Sequence, residues 1–227
     1  MPDRSRAREL AAQFISSGDP NGWFDVLYRE AEEGRAEVPW ADLRPNPHLL
    51  SWWNTHAWGA EAPAPAGKPA KTALVIGCGL GDDAEQLAAW GFKTTAFDIS
   101  QTAIGAARRR FAESVVEYVT ADLFNLPASW IGRFDFVLEA YTLQVFQTGM
   151  RPKIMEKISR LVHPGGLLLA IARGREPGDP EGKMPWPLTR AELDQFICFG
   201  LEQQSFDDFA DTEEAGVRRF RALYQRT

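Results

Sequence analysis

The stretch ALVIGCGLGDD, residues 73–83, decides how this 227-residue chain folds. An apolar run leads into three glycines and then into Asp82 and Asp83, so a strand turns tightly into a helix. Loops of this shape set backbone N–H groups and a helix N-terminus against a ligand. The loop does not fit G-x-G-x-x-G, because Asp82 stands at the last glycine position. A pyrophosphate would be repelled by the two acids in a partly desolvated site. The expected ligand therefore carries positive charge and no phosphate.

Outward from this loop, strand and helix signals alternate. Residues 72–77 read as a strand and 82–90 as a helix stopped by Gly91. Residues 93–98 are the next strand, and Ser100 caps a helix with Ile104, Ala107 and Phe111 on one face. A strand follows at 115–119. The stretch FDFVLEA, residues 134–140, is apolar enough for a strand covered on both faces. Met150, Ile154, Ile158 and Leu161 repeat at helical spacing, and HPGG then turns the chain into the strand LLLAIA. Thr189 and Glu192 form a capping box for a helix ending at Gly200, and weaker strands lie near 201–209 and 217–225. Repeated β-α units predict an α/β, doubly wound (Rossmann-like), mostly parallel seven-stranded sheet with helices on both faces.

Before the sheet, helical patterns at 3–17 and from Trp23 to about Gly34 precede a segment rich in Trp and Pro. The chain divides into an N-terminal helical cap or lid (1–58), a Pro- and Ala-rich connector (59–71) and a ligand-binding domain (72–227).

The downstream acids strengthen the loop signal. Asp98 ends the second strand 21 residues after Gly77, Asp122 follows the third strand in ADLF, and Glu139-Ala140-Tyr141 closes the fourth. With the loop acids, four successive strand ends carry a carboxylate on the rim where such sheets bind ligands.

A net charge of −6 disfavours a nucleic-acid partner, and Arg108, Arg109 and Arg110 read as the solvated side of a helix. Cys78 and Cys198 lack metal or redox spacing, so no metal is expected. No run of about 18 apolar residues predicts a membrane span, and no apolar run follows the basic N-terminus, so a cytoplasmic protein is expected.

With these motifs in place, the chain resembles the class I S-adenosylmethionine-dependent methyltransferases. It looks more narrowly like the superfamily of thiopurine and thiol or halide methyltransferases. The resemblance covers residues 21–225 and rests on GCGLGDDAEQLA, GFKTTAFDISQTAI, ADLF, YTLQ and PGG, with WFDVLY, EVPWADLRPNP and GKMPWPLT beside them. It implies S-adenosylmethionine as cofactor, S-adenosylhomocysteine as product and a small-molecule methyl acceptor. It further implies that Gly77, Cys78, Gly79, Gly81 and Asp82 lie along the methionine part and that Asp98 binds the ribose hydroxyls. Ile99 packs on the adenine, Asp122 accepts from the adenine amine with Leu123 and Phe124 beside it, and Glu139, Ala140 and Tyr141 lie near the reacting centre. Trp40 helps close the site. One departure stands out: many members carry an acid two residues before the first glycine, where this chain has Val75.

Methyl transfer needs alignment and dehydration more than charge creation. A thiol, with a pKa near 8.5, is partly ionised without a base. The expected acceptor is therefore a thiol or other soft sulfur or selenium nucleophile. Tyr141, Tyr28 and His48 are the candidates to orient it. Trp52, Trp53 and Trp58 read either as a lid or as packing, and Met184 to Pro187 as a pocket wall. The alternatives are a small amine or oxygen acceptor, a non-catalytic S-adenosylmethionine binder, and an NAD-dependent enzyme. The EAYT sequence after the fourth strand argues against nucleic-acid N-methylation, which works on a flipped-out base.

Overall fold

The computed structural model describes residues 3–55 and 69–227. His56, Trp58 and most of the 59–71 connector lie outside the described residues.

Seven strands form one sheet in the order β3-β2-β1-β4-β5-β7-β6. They are β1 (Thr72–Ile76), β2 (Lys93–Asp98), β3 (Glu117–Thr120), β4 (Phe134–Ala140), β5 (Val162–Arg173), β6 (Leu201–Ala210) and β7 (Arg218–Arg226). β1 pairs in parallel with β2 on one side and β4 on the other, and Ile76 lies opposite both Phe97 and Glu139. Strand order reverses at β1, so a crevice opens beyond its C-terminal end.

The sheet is parallel over most of its pairings, as expected, but it is mixed, with an antiparallel exception at one edge. β7 pairs antiparallel with both β5 and β6. The link between β6 and β7 spans only residues 211–217, enough for a hairpin and too short for a parallel crossover.

Alternation along the strands builds two cores. Leu74, Ile76 and Val137 face one layer with Ile154 and Ile158 of the helix Arg151–Leu161 (α6). Ala73, Val75, Phe136 and Leu138 face the other with Ala84 and Leu87 of Asp82–Ala89 (α4) and Ile104 and Ala107 of Gln101–Arg110 (α5). Ile154 and Ile158 are fully buried, each worth about 1.5–3 kcal/mol. The capping box at Thr189 is present, but its helix is split into Arg190–Leu193 (α7) and Gln195–Cys198 (α8). β3 begins two residues later than expected, because the Ser114 hydroxyl turns the backbone at Val116 and leaves Val115 exposed. HPGG lies inside β5 at a register shift, where a Cβ on Gly166 would sit 2.9 Å from the Phe134 carbonyl oxygen.

The N-terminal residues form two packing units. Ser5–Ser16 (α1) and Trp23–Glu32 (α2) share a core of Leu10, Trp23, Leu27 and Met184. Pro47–Thr55 (α3) docks on the sheet instead. Trp52 stacks on Phe136 and Trp53 on Trp90, with centroids 5.5 and 4.0 Å apart. Trp52 and Trp53 are thus packing residues. Among the described residues no helix is long and apolar enough to cross a membrane.

Candidate active site

A cavity of about 660 Å³ opens at the strand-order reversal. Of the predicted site residues, Tyr28, Trp40, His48, Gly77, Cys78, Gly79, Asp82, Asp98, Ile99, Asp122, Leu123, Ala140 and Tyr141 border it. Gly81, Phe124 and Glu139 are not on its wall. Met184 and Pro185 border it, whereas Trp186 packs with the α1–α2 core.

The glycine loop is pinned to the end of β2. The Gly79 N–H donates to Asp98 Oδ2 at 3.0 Å, and the Ser100 N–H donates to Oδ1 at 2.9 Å. Burial raises the Asp98 carboxyl pKa, and these backbone donors oppose the shift. Gly81 has a structural reason to be glycine. Its φ is +94°, and a Cβ there would lie 2.3 Å from the Tyr118 hydroxyl.

The two loop acids have different partners. Asp82 takes a two-point hydrogen bond from Arg110, at 2.8 and 2.9 Å. Asp83 accepts the Asn46 N–H at 2.7 Å and joins the loop to the start of α3. Burial pushes its pKa up to about 6. Asp122 accepts from the Phe124 N–H at 2.9 Å, a local turn that directs Phe124 onto Phe146 and away from the cavity. Among the described residues Asp83, Asp98 and Asp122 are not paired with a cation. That set of carboxylate acceptors fits a ligand bearing positive charge and nucleoside hydroxyls. It fits a pyrophosphate poorly, because like charges repel strongly where water is scarce.

Glu139 acts from beneath the site. It is fully buried, its Oε1 accepts the Leu143 N–H at 2.9 Å, and its Oε2 has no partner among the described residues. Burial raises its pKa to about 7. The turn it supports presents Tyr141 at φ +66°, a left-handed conformation uncommon for a side-chain-bearing residue and concentrated at functional sites. The Arg219 guanidinium covers the Tyr141 ring at 4.8 Å, and burial pushes the hydroxyl up to about 12.

Tyr28 reaches the loop from α2. Its hydroxyl accepts from Trp40 Nε1 at 2.9 Å, and a Cβ on Gly79 would meet it at 2.9 Å. Burial raises the pKa of Tyr28 and of the Cys78 thiol well above their usual values, so both keep their protons near neutral pH. Trp40 stays 36% exposed at the rim. His48 Nε2 lies 3.3 Å from Asp211 Oδ2. Burial and the nearby Arg219 lower the His48 pKa.

Sequence reasoning missed the far wall. Arg4, Arg173, Arg219, Asp211 and Glu214 all border the cavity. Arg173 ends β5, so the strand-end rule that singled out Asp98 would have found it. Arg219 is near the start of β7, which reaches the same rim only because β7 runs antiparallel. Among the described residues no group of three or more His, Cys, Asp or Glu is placed to hold a metal.

Residues 73–166 match the family model described as a methyltransferase domain. Over 208 residues the chain is 25% identical to a probable thiol methyltransferase 2 of Arabidopsis thaliana, covering 89% of this chain and 83% of that one. It is 38% identical over 86 residues to the N-methyltransferase verN of Clonostachys rogersoniana, covering 36% of this chain and 29% of that one. A solved structure described as "Conversion of a Disulfide Bond into a Thioacetal Group during Echinomycin Biosynthesis" superposes with a TM-score of 0.68 at 21% identity. It covers 89% of this chain and 90% of that one, a likeness of fold.

Proposed function

We propose that this chain, an S-adenosylmethionine-dependent methyltransferase, methylates a small molecule at a thiol or another soft sulfur or selenium atom. The choice of atom is supported by the burial of three groups on the cavity wall, which favours their protonated forms. The Tyr28 and Tyr141 hydroxyls and the Cys78 thiol all hold their protons more tightly than usual. They donate hydrogen bonds and orient; they do not remove a proton from a weakly acidic acceptor. A thiol ionises partly by itself near neutral pH. The relative named as a thiol methyltransferase, matched over most of both chains, supports the same choice.

In this reading the bound cofactor supplies a methyl group on a positively charged sulfur. The acceptor's nucleophilic atom would take that methyl group, the demethylated cofactor would be the leaving group, and a thiol acceptor's proton would go to solvent. The chain's own work is alignment and exclusion of water. Asp98 holds the ribose hydroxyls, with Gly77 to Gly79 along the amino-acid portion and Ile99 and Asp122 at the adenine. Asp83, which has no cation partner among the described residues, takes the role that an acid at position 75 would have had. Residues 1–58 act as a cap on the 72–227 domain, closing the cavity through Tyr28 and Trp40. Tyr141 faces the acceptor.

A second reading, transfer to an amine or oxygen, rests on His48. Its contact with Asp211 fixes one ring nitrogen and leaves the other to take a proton. Transfer of labelled methyl across thiol, selenol, amine and phenol acceptors separates the two. Thiol products support the first reading, and amine or phenol products alone replace it with the second.

A further inference from the structure

The cavity has two electrostatic halves. One holds Asp83, Asp98 and Asp122. The other holds three guanidiniums, those of Arg4, Arg173 and Arg219. Two carboxylates answer them. Glu214 accepts from Arg4 at 3.1 Å, from Arg219 at 3.2 Å and from Arg173 as well. Asp211 accepts from Arg219 Nε and lies beside His48. Three cations against two anions leave one positive charge on this wall, with His48 neutral. The neighbouring Arg44–Glu213 pair is balanced, and Asp42 is exposed at the mouth, where water screens it.

The arginines are also under-used as donors. Among the described residues Arg4 gives only Nη1 to a side-chain partner, and Arg173 only Nη2. Their side chains are 18% and 16% exposed, so the surplus charge is shielded from bulk water. A latch tying α1 to the β6–β7 turn would need only as many cations as anions. The open donors of Arg4 and Arg173 on the cavity wall are shaped for an oxyanion, which an arginine fork holds at two points.

Resting on the methyl-transfer reading, we propose that the acceptor carries a carboxylate, bound by Arg173 and Arg4, at a distance from its nucleophilic atom. The acceptor class is a small mercapto-acid. Its anion sits on the arginine wall, and its sulfur points back past Tyr141 toward the acidic, cofactor-holding half.

The test uses matched acceptors, each as free acid and as methyl ester: 3-mercaptopropionate, an amino acid and a hydroxybenzoate. In whichever pair is turned over, the acid should exceed the ester in kcat/KM by about 10- to 100-fold, the range of a charged hydrogen bond. Added salt should narrow the ratio. Arg173→Met and Arg4→Met should each collapse it, with S-adenosylhomocysteine affinity retained as the check on folding. Equal rates for acid and ester, or a ratio untouched by both variants, overturn the proposal. If no pair is turned over, calorimetry of 3-mercaptopropionate against its ester on S-adenosylhomocysteine-loaded protein decides, and failure of the acid to bind overturns it. An acid preference in the amine or phenol pair with inert thiols keeps the carboxylate inference and removes the thiol. Thiol turnover without acid preference does the reverse.

Discussion

Asp98 Oδ2 accepts the Gly79 N–H at 3.0 Å, so one carboxylate fixes the glycine loop and faces the cavity from the end of β2. Asp98→Ala removes a charged acceptor from ligand and loop together. S-adenosylhomocysteine affinity measured by calorimetry should fall by about 1.5–3 kcal/mol, the range for a hydrogen bond to a charged group. Unchanged affinity in a folded variant would take Asp98 out of the site.

Asp82, at the start of α4, has a different role. Arg110 occupies both its oxygens, and the pair is partly exposed, at 16% and 29% for the two side chains. Such pairs contribute about 0–1 kcal/mol. Asp82→Asn should therefore change S-adenosylhomocysteine affinity by less than about fivefold, far below the Asp98→Ala loss. A loss equal to that of Asp98→Ala would show that Asp82 meets the ligand directly.

Gly81 tests the loop's packing. A side chain there costs about 1–2 kcal/mol for its left-handed backbone. Displacing the Tyr118 hydroxyl adds overpacking of about 1–3 kcal/mol. Thermal unfolding of Gly81→Ala should show this loss. Tyr118→Phe in the same chain should recover part of it, since contacting residues couple. Strict additivity would contradict the 2.3 Å approach.

Glu139 sets a pH dependence. Its folded pKa is raised from 4.5 to about 7, so between those values the folded state holds a proton that the unfolded chain releases. Stability from this group is complete below about 4.5 and is lost as pH rises through about 7. At alkaline pH the cost approaches about 3 kcal/mol at 1.36 kcal/mol per unit. Glu139→Gln should match the wild type near pH 4 and melt several degrees higher at pH 8. Asp83, raised to about 6, leaves a residual slope in the variant. Equal melting temperatures across the range would contradict the buried, half-satisfied carboxyl.

Much of the fold was legible because the parallel strands are buried on both faces and their apolar runs mark them directly. FDFVLEA matches β4 residue for residue. The direction of β7 was not legible. Strand pattern carries no sign of orientation, and only the short 211–217 link betrays the hairpin. At the site, strand-end acids were readable because parallel strands bring their C-terminal ends to one rim. Arg4 and Arg219 reach that rim from a helix start and from the beginning of an antiparallel strand. α3 was hidden because Pro, Asn and Trp read as loop, while Asn46 Oδ1 takes the His48 N–H and starts a helix. Glu139 was read as a cofactor neighbour, but strand alternation turns it into the core.

In the proposed reading the cavity is divided, with cofactor on the acidic half, acceptor on the arginine half, and the two meeting at Tyr141. A crystal structure with S-adenosylhomocysteine measures this directly. The ribose hydroxyls should lie on Asp98 and the sulfur should be directed past Tyr141 at the wall of Arg173 and Arg219. A ligand sulfur turned away from Tyr141, or a ribose not held by Asp98, would contradict it.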